Sequence, residues 1–158
     1  MTDIDGVIFA HLHYDHVRGP SRFSGPPTKF IIGPGTTEAL LSGPNTYPTN
    51  KESIFDSNIL PRSRTVELPF PSSPPFPAAM DYFGDGFVFI VNAPGHLAGY
   101  LNLLVRVGTG KRMYLVGDTA HDVRGYKGTR ELAAYPDPKK VDHLTCAHAD
   151  KEAAHEHM

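Results

Sequence analysis

The segment HLHYDH, which begins at His11, holds three histidines and one aspartate. Imidazole nitrogen and carboxylate oxygen are the ligands that zinc prefers beside cysteine sulfur. His11 and His13 follow an apolar run, and side chains two positions apart on an extended chain point the same way. Asp15 and His16 come directly after them, where the chain is expected to turn. This spacing predicts a metal site at the end of a strand.

Two further polar residues stand in the same kind of setting. His96 lies in NAPGHLAG, just after an apolar run, and Pro94-Gly95 predicts the turn that re-aims it. Asp118 lies in YLVGDT, where an apolar strand is followed by glycine and a carboxylate. Three strand ends that carry ligand-type residues predict one shared edge of a sheet. The expected metal site is built from His11, His13, Asp15, His16, His96 and Asp118.

The bulk composition is that of a soluble globular chain. It has 158 residues, 40% apolar and 20% charged, which predicts a single domain over residues 1–158. The net charge of −2 gives no general affinity for nucleic acid or acidic membranes. The single cysteine, Cys146, excludes a disulfide within the chain and favours a reducing compartment. The acidic start MTDIDG lacks the features of a signal peptide, so the expected location is cytoplasmic.

The elements that must position the metal ligands are expected to be short, because 15 prolines and 15 glycines divide the chain. Apolar runs predict a buried strand at 6–10 and another in KFIIGPG, followed by a short helix in TTEALLSG with Thr36 as its cap. Two hairpins follow, with turns at 84–86 and 108–110. The run at 113–116 is apolar on both faces, which predicts a central strand. ADKEAAHEHM predicts a last helix, and the order indicates a mixed α/β fold.

The segment at 44–63 shows no clean period, and a loop of this length is typical of a functional or disordered segment. We expect it to contribute to an apolar wall of the site. The aromatic residues considered for that wall are Phe55, Phe70, Phe76 and Tyr82. For most of them, packing in the core is the favoured interpretation.

HLHYDH, followed by PGH and then by GD, resembles the metallo-β-lactamase-fold superfamily of hydrolases over nearly the whole chain. The resemblance is to the lactonase and glyoxalase II type rather than to the antibiotic-degrading type. It implies an αββα sandwich, in which two mixed β-sheets lie between outer helices and the metal site lies at one edge. It also implies specific roles: a first metal on His11, His13 and His96, a second on Asp15 and His16, and Asp118 as the bridge.

The sequence departs from the family pattern at both ends, which predicts a truncated domain. Relatives have several strands before the first motif, and their last metal ligand is a histidine after a further helix and strand. His148, His155 and His157 lie before or within the last helix and are assigned no such role. Tyr100 stands where many relatives have a second histidine that is not a ligand. We expect one tightly bound Zn²⁺ and an incomplete second site, with iron as another candidate metal.

The function that the resemblance implies is hydrolysis of a lactone, ester or thioester by a metal-activated water. Asp15 and Asp118 are the expected catalytic carboxylates, with Asp15 handling the proton passed to the leaving group. Two alternatives stay open: a remnant that binds a metal or a partner protein without turnover, and a mononuclear iron enzyme similar to sulfur dioxygenases. The expected partner is a small-molecule substrate, and a second copy or another protein could cover sheet edges left by missing strands.

Overall fold

A computed structural model describes residues 3–25, 28–70 and 78–158. The strands are β1 (Gly6–Ile8), β2 (Lys29–Ile32), β3 (Thr65–Glu67), β4 (Ala79–Asp81), β5 (Val88–Asn92), β6 (Leu101–Gly108), β7 (Lys111–Leu115), β8 (Tyr135–Pro136) and β9 (Leu144–Thr145). The helices are α1 (Tyr14–Val17), α2 (Val123–Tyr126) and α3 (Lys151–Glu156), with a helical turn at Thr37–Leu41 and 3₁₀ turns at Pro20–Arg22, Arg62–Arg64 and Gly117–Thr119. Within these ranges every helix is too short or too polar to span a bilayer.

The strands form two main sheets. In the first sheet β1, β2 and β3 run parallel in that order, with Val7 of β1 opposite Phe30 of β2. In the second sheet β4, β5, β6 and β7 form an antiparallel meander in chain order, with Ile90 of β5 opposite Leu103 of β6. β8 and β9 pair as a small antiparallel ribbon. The expectation of a mixed α/β fold built on two sheets is confirmed, with parallel pairing in one sheet and antiparallel pairing in the other.

The alternation of side chains along β2 divides the core into two parts. Ile31 packs with Ile90 and Leu101 of the second sheet, which places it between the two sheets. Phe30 and Ile32 point the other way and pack into the cluster beneath the HLHYDH segment. The strand is therefore buried on both faces, as is typical of a parallel strand. β1 pairs with this buried strand, so the chain that leads to His11 is firmly held.

The prediction of a central strand at 113–116 is wrong, because β7 stands at the edge of its sheet. Its side chains are substantially exposed: Met113 by 51%, Tyr114 by 38% and Leu115 by 47%. An apolar run indicates that both faces of a strand can be buried. It carries no information about how many strands pair with it.

Thr36 does not cap the helical turn that follows it. Its hydroxyl donates to the Gly33 carbonyl at 2.7 Å. The turn is capped instead by the Glu67 carboxylate at the end of β3, which accepts from the N–H groups of Gly35 at 2.6 Å and Thr37 at 2.9 Å. A carboxylate satisfies unpaired N–H groups as well as a threonine does. Because it comes from a distant strand, the local sequence does not indicate it.

Gly95 allows α3 to dock against the turn that carries His96. The φ of Gly95 is +136°, and a Cβ at this position would overlap the backbone of Ala154 in α3. The docking is fixed by two hydrogen bonds, from the Asp150 N–H to the Gly95 carbonyl at 2.8 Å and from the Ala149 N–H to the His96 carbonyl at 3.1 Å. The glycine of the PGH motif thus serves the packing of the last helix as well as the turn.

We predict that Gly95→Ala lowers the free energy of unfolding by about 2 kcal/mol or more, because it combines a strained φ with overlap against backbone. Urea denaturation measures this loss. Gly108→Ala is the matched control, since among the described residues its Cβ would come within 4 Å of the Lys111 side chain alone, at 3.9 Å. This control should change the free energy by no more than about 0.5 kcal/mol. Equal losses in the two variants would contradict the proposed docking role.

Candidate metal centre

Four side chains bring their ligand atoms together at one edge of the fold. One atom from each of His11, His13, His96 and Asp118 lies within 4.8 Å of all the others. Nδ1 of His13 lies 2.8 Å from Nε2 of His11 and 3.2 Å from Nε2 of His96. Oδ2 of Asp118 lies 3.6 Å from each of those two Nε2 atoms. Ligands of a tetrahedral zinc ion are about 3.4 Å apart, so these separations suit a common cation.

Each of these residues is placed by a turn that follows a strand. His11 and His13 come after β1, and His13 has the extended backbone of the residue that precedes α1. His96 lies between β5 and β6 on the turn made by Pro94 and Gly95. Asp118 lies in the 3₁₀ turn after β7, which begins at Gly117 with a φ of +48°. The structure therefore brings the ends of three strands to one place, as their positions in the sequence indicate.

Asp15 and His16 lie beside this cluster in α1. Nε2 of His16 is 3.2 Å from Oδ2 of Asp118, and its ring centroid is 4.1 Å from that of His11. Oδ2 of Asp15 is 3.7 Å from Nε2 of His16, and its side chain is half exposed. His16 thus contacts the four-residue cluster directly, while Asp15 stands on its solvent side.

Tyr100 joins the two halves of the cluster. Its ring is buried and stacks on His11, with the centroids 4.9 Å apart. Its hydroxyl donates to the Val116 carbonyl at 3.0 Å and accepts a short hydrogen bond from the Asp118 N–H. Burial raises the pKa of Tyr100 to about 12, which keeps the hydroxyl protonated. One side chain therefore fixes both a histidine from the first motif and the turn that carries the carboxylate.

Burial keeps the clustered imidazoles neutral. Burial, reinforced by the neighbouring His16 and His13, lowers the pKa of His11 from 6.5 to about 3. Burial and the neighbouring His13 lower the pKa of His96 to about 4. Burial also lowers the pKa of His13, although Asp15 and Asp118 oppose the shift. Since a metal ion binds the neutral imidazole, these histidines are in their binding form at neutral pH.

One member of the expected apolar wall lies beside the cluster. The Phe55 ring is nearly parallel to the His13 ring, with the centroids 6.0 Å apart. Phe70 and Tyr82 pack against the core between the two sheets. Phe76 lies outside the described residues, as does the rest of the segment at 71–77. For Phe70 and Tyr82, packing in the core is what the structure shows.

Two histidines that the sequence did not single out as ligands also lie here. His121 follows Asp118 by three positions, and its Nε2 is 4.0 Å from Oδ2 of Asp118. His148 comes from the loop before α3 and is buried, with its ring centroid 5.0 Å from that of His96. The short spacing after Asp118 is a signal that could have indicated His121. The late histidine of the family pattern is a signal that could have indicated His148, which follows α2 and β9 and is brought to the cluster by the docking of α3.

No family model matches this sequence. The chain is 32% identical over 151 residues to the cytochrome P450 monooxygenase mpaDE of Penicillium roqueforti (strain FM164). The aligned segment covers 90% of this chain and 17% of that protein. It is 38% identical over 109 residues to the metallo-hydrolase mfmC of Annulohypoxylon moriforme, covering 66% of this chain and 27% of that protein. It is 28% identical over 127 residues to the gamma-lactamase MBL2 of Gibberella moniliformis (strain M3125 / FGSC 7600), covering 77% of this chain and 52% of that protein. The chain thus spans about half of the length of the gamma-lactamase and less than a third of the length of the other two relatives.

Solved structures share the fold of this chain. An N-acyl homoserine lactone hydrolase with the product N-hexanoyl-L-homoserine bound at its catalytic metal centre superposes with a TM-score of 0.62 at 20% identity, over 96% of this chain and 47% of that one. A hydrolase of the beta lactamase superfamily superposes with a TM-score of 0.50 at 16% identity, over 96% of this chain and 50% of that one. At these identities the similarity is one of fold.

We predict that the metal-free chain loses stability as the pH falls from 6.5 towards about 4, the window between the ordinary histidine pKa and that of buried His96. In this window the unfolded chain binds protons that the folded chain excludes from His11 and His96, so acid favours unfolding. Thermal unfolding over this pH range measures the effect. His96→Asn should flatten the pH dependence, whereas exposed His155→Asn should leave it unchanged. An unchanged slope in His96→Asn would count against the burial of neutral imidazoles.

We also predict that Tyr100→Phe weakens metal binding by about 10- to 100-fold, the usual cost of losing a group that orients a ligand. The variant keeps the ring that stacks on His11 but leaves the Asp118 N–H without its acceptor. Titration with zinc against a chromogenic chelator measures the affinity. Tyr126→Phe is the control, because its hydroxyl donates to the His157 carbonyl at 3.5 Å and not to a residue of the cluster. Unchanged affinity in Tyr100→Phe would show that Asp118 needs no such anchor.

Proposed function

We propose that this chain, which has the metallo-β-lactamase fold, is the metal-binding part of a hydrolase that opens a lactone or cleaves an ester or thioester. The observation that carries the proposal is the convergence of ligand atoms from His11, His13, His96 and Asp118 within 4.8 Å. The relatives named as a metallo-hydrolase and a gamma-lactamase support the reaction class. The lactone hydrolase of similar fold, which holds its product at a metal centre, supports a lactone as the substrate.

The donor set fits a divalent cation. Nε2 of His11, Nδ1 of His13 and Nε2 of His96 are basic nitrogens that face one another in a largely buried setting, next to a carboxylate oxygen. Neutral imidazoles arranged in this way gain from a cation that accepts several lone pairs at once. Three imidazoles and a carboxylate are common zinc ligands, so Zn²⁺ is the proposed ion. Iron remains the alternative, because affinity order alone does not decide between the two metals.

The proposed mechanism assigns roles to residues of this chain. A divalent ion bound here supplies Lewis-acid polarisation of a substrate carbonyl and lowers the pKa of a water molecule. His11, His13 and His96 hold that ion, and Asp118 adds a negative charge at a position fixed by its backbone hydrogen bond. Asp15 stands half exposed beside His16, where it can pass a proton to the leaving group.

The wall and the surroundings of the site belong to the same proposal. Phe55 presents an apolar ring beside His13, suited to the acyl part of a small-molecule substrate. A cytoplasmic location is proposed from the single cysteine, which favours a reducing compartment. A second copy or a partner protein is proposed to cover the exposed edge strand β7.

The test is hydrolysis of an N-acyl homoserine lactone and of a simple thioester by the purified chain, with its metal content measured in parallel. We expect lactone turnover that is lost on chelation and restored by Zn²⁺. His13→Ala should lower kcat/KM by at least about 100-fold, because it removes a ligand of the catalytic ion. His155→Ala, whose side chain is exposed, is the matched histidine control.

Three results would contradict this assignment. Turnover that persists in His13→Ala would place the chemistry elsewhere. Metal binding without turnover of either substrate would favour a remnant that binds a metal or a partner. Bound iron together with oxygen consumption would favour an oxygenase.

A further inference from the structure

The outer side of the edge strand β7 is open to pairing with another strand. β6 pairs with one side of β7, and among the described residues no strand pairs with the other side. Three of its five side chains, those of Met113, Tyr114 and Leu115, are large, apolar or aromatic, and exposed. An edge of this kind attracts another strand unless proline or charge prevents it. β7 contains no proline, so the positions of its charges decide which partner strand fits.

The outward main-chain groups of β7 belong to Arg112 and Tyr114. On β6, the Arg106 N–H donates at 2.7 Å to a carbonyl just before β5, so the preceding residue, Val105, directs its main-chain groups towards β7. Val105 lies opposite Met113 of β7. Successive residues of a strand direct their N–H and C=O groups to opposite sides. Arg112 and Tyr114, which flank Met113, therefore turn these groups away from β6.

A second copy of β7 can use all of these groups in one register. When two copies lie antiparallel about a twofold axis at Met113, Arg112 of each strand is opposite Tyr114 of the other. Residues with outward groups then face each other, and each such pair exchanges both of its N–H···O bonds. Met113 lies opposite Met113, and Lys111 lies opposite Leu115. In this register no two like charges are directly opposite.

The neighbouring registers are less favourable. A twofold axis at Arg112 would set two guanidinium groups directly opposite each other, and like charges in that position destabilise a sheet. An axis at Tyr114 would pair Arg112 with Val116, whose carbonyl already accepts from the Tyr100 hydroxyl at 3.0 Å. An axis between two residues would set an outward group of one strand opposite an inward group of the other. Charge and hydrogen bonding therefore favour the axis at Met113.

The side chains on the Tyr114 face of β7 suit this register as well. Asn102 donates to the Tyr114 hydroxyl at 3.0 Å, which holds the tyrosine ring in place. The Arg112 guanidinium lies on the same face, with its central carbon 5.8 Å from the centre of the Phe89 ring. A guanidinium is attracted to the face of an aromatic ring. Arg112 of one copy can therefore extend over the fixed Tyr114 ring of the other.

We propose that β7 is a dimerisation strand, which pairs antiparallel with β7 of a second copy about a twofold axis at Met113. The pairing joins the antiparallel sheets of the two copies into one continuous sheet. The partner is a second copy because β7 is self-complementary: its own sequence places tyrosine opposite arginine and methionine opposite methionine. One short strand from each copy makes a small contact, so we expect a weak, concentration-dependent dimer.

This proposal narrows the covering of β7 proposed above to a second copy, and it rests on no step of the proposed hydrolysis. A chain that hydrolyses a lactone as a monomer would refute the dimer and leave the hydrolase assignment intact. A dimer without turnover would do the reverse.

The first test is sedimentation velocity of the purified, full chain over a range of concentrations. We expect a monomer–dimer equilibrium. Met113→Lys should raise the apparent Kd of the dimer by at least about fivefold, because it sets two ammonium groups opposite each other across the axis. Val107→Lys is the matched control, since it also replaces an exposed apolar residue but lies in β6, away from the free edge. It should leave the Kd unchanged.

Disulfide formation tests the register. Cys146→Ser removes the native thiol, and Met113→Cys in that background should form a disulfide-linked dimer under mild oxidation. Opposite residues in a non-hydrogen-bonded pair have Cα atoms about 4.5 Å apart, which a disulfide can span. Leu115→Cys in the same background is the control. Its two copies would be about 13 Å apart along the strands, so it should stay unlinked.

Three results would overturn the proposal. A parent chain that stays monomeric at its highest soluble concentration would show that β7 does not pair with itself. A dimer of equal Kd in the parent chain and in Met113→Lys would place the interface on another surface. Linkage through Leu115→Cys but not through Met113→Cys would refute the register. Because cysteine is a small change at the exposed Met113, the linkage result stands even if Met113→Lys does not fold.

Discussion

The rest of this structure depends on the convergence of three basic nitrogens on one carboxylate in a mostly buried setting. Nδ1 of His13 stands within 3.2 Å of Nε2 atoms from two histidines far apart in the sequence, His11 and His96. Burial lowers the pKa of His11 and of His96, so these imidazoles stay neutral and keep a lone pair that can bind a cation. Such an arrangement is poor for stability and good for binding a cation. The neighbouring elements must therefore keep these polar side chains together, although without a cation the side chains would be more stable apart.

The scaffold meets this demand with short elements and a few well-placed contacts. β1 leads into the first motif from a position beside β2, which is buried on both faces. Tyr100 stacks on His11 and fixes the turn of Asp118, so the two sheets cannot shift without disturbing the ligand set. Gly95 lets α3 close against the His96 turn. The precision of the site thus comes from packing at turns rather than from long regular strands.

A lactone hydrolase that holds its product at a catalytic metal centre shares the fold of this chain. The chain covers 47% of that structure and between 17% and 52% of the length of the three relatives described above. On this chain the outer side of Asp118 is lined by His121 and His148.

The sequence by itself indicated the α/β class and the polar side chains at strand ends that converge in the structure, because these depend on residue type and on the two-residue period of a strand. It did not determine that β7 is an edge strand, since an apolar run does not indicate how many strands pair with it. Nor did it indicate that Glu67 caps a distant turn or that His148 reaches His96. Those contacts join segments far apart along the chain. Only the packing of sheets, turns and α3 in three dimensions decides which of them meet.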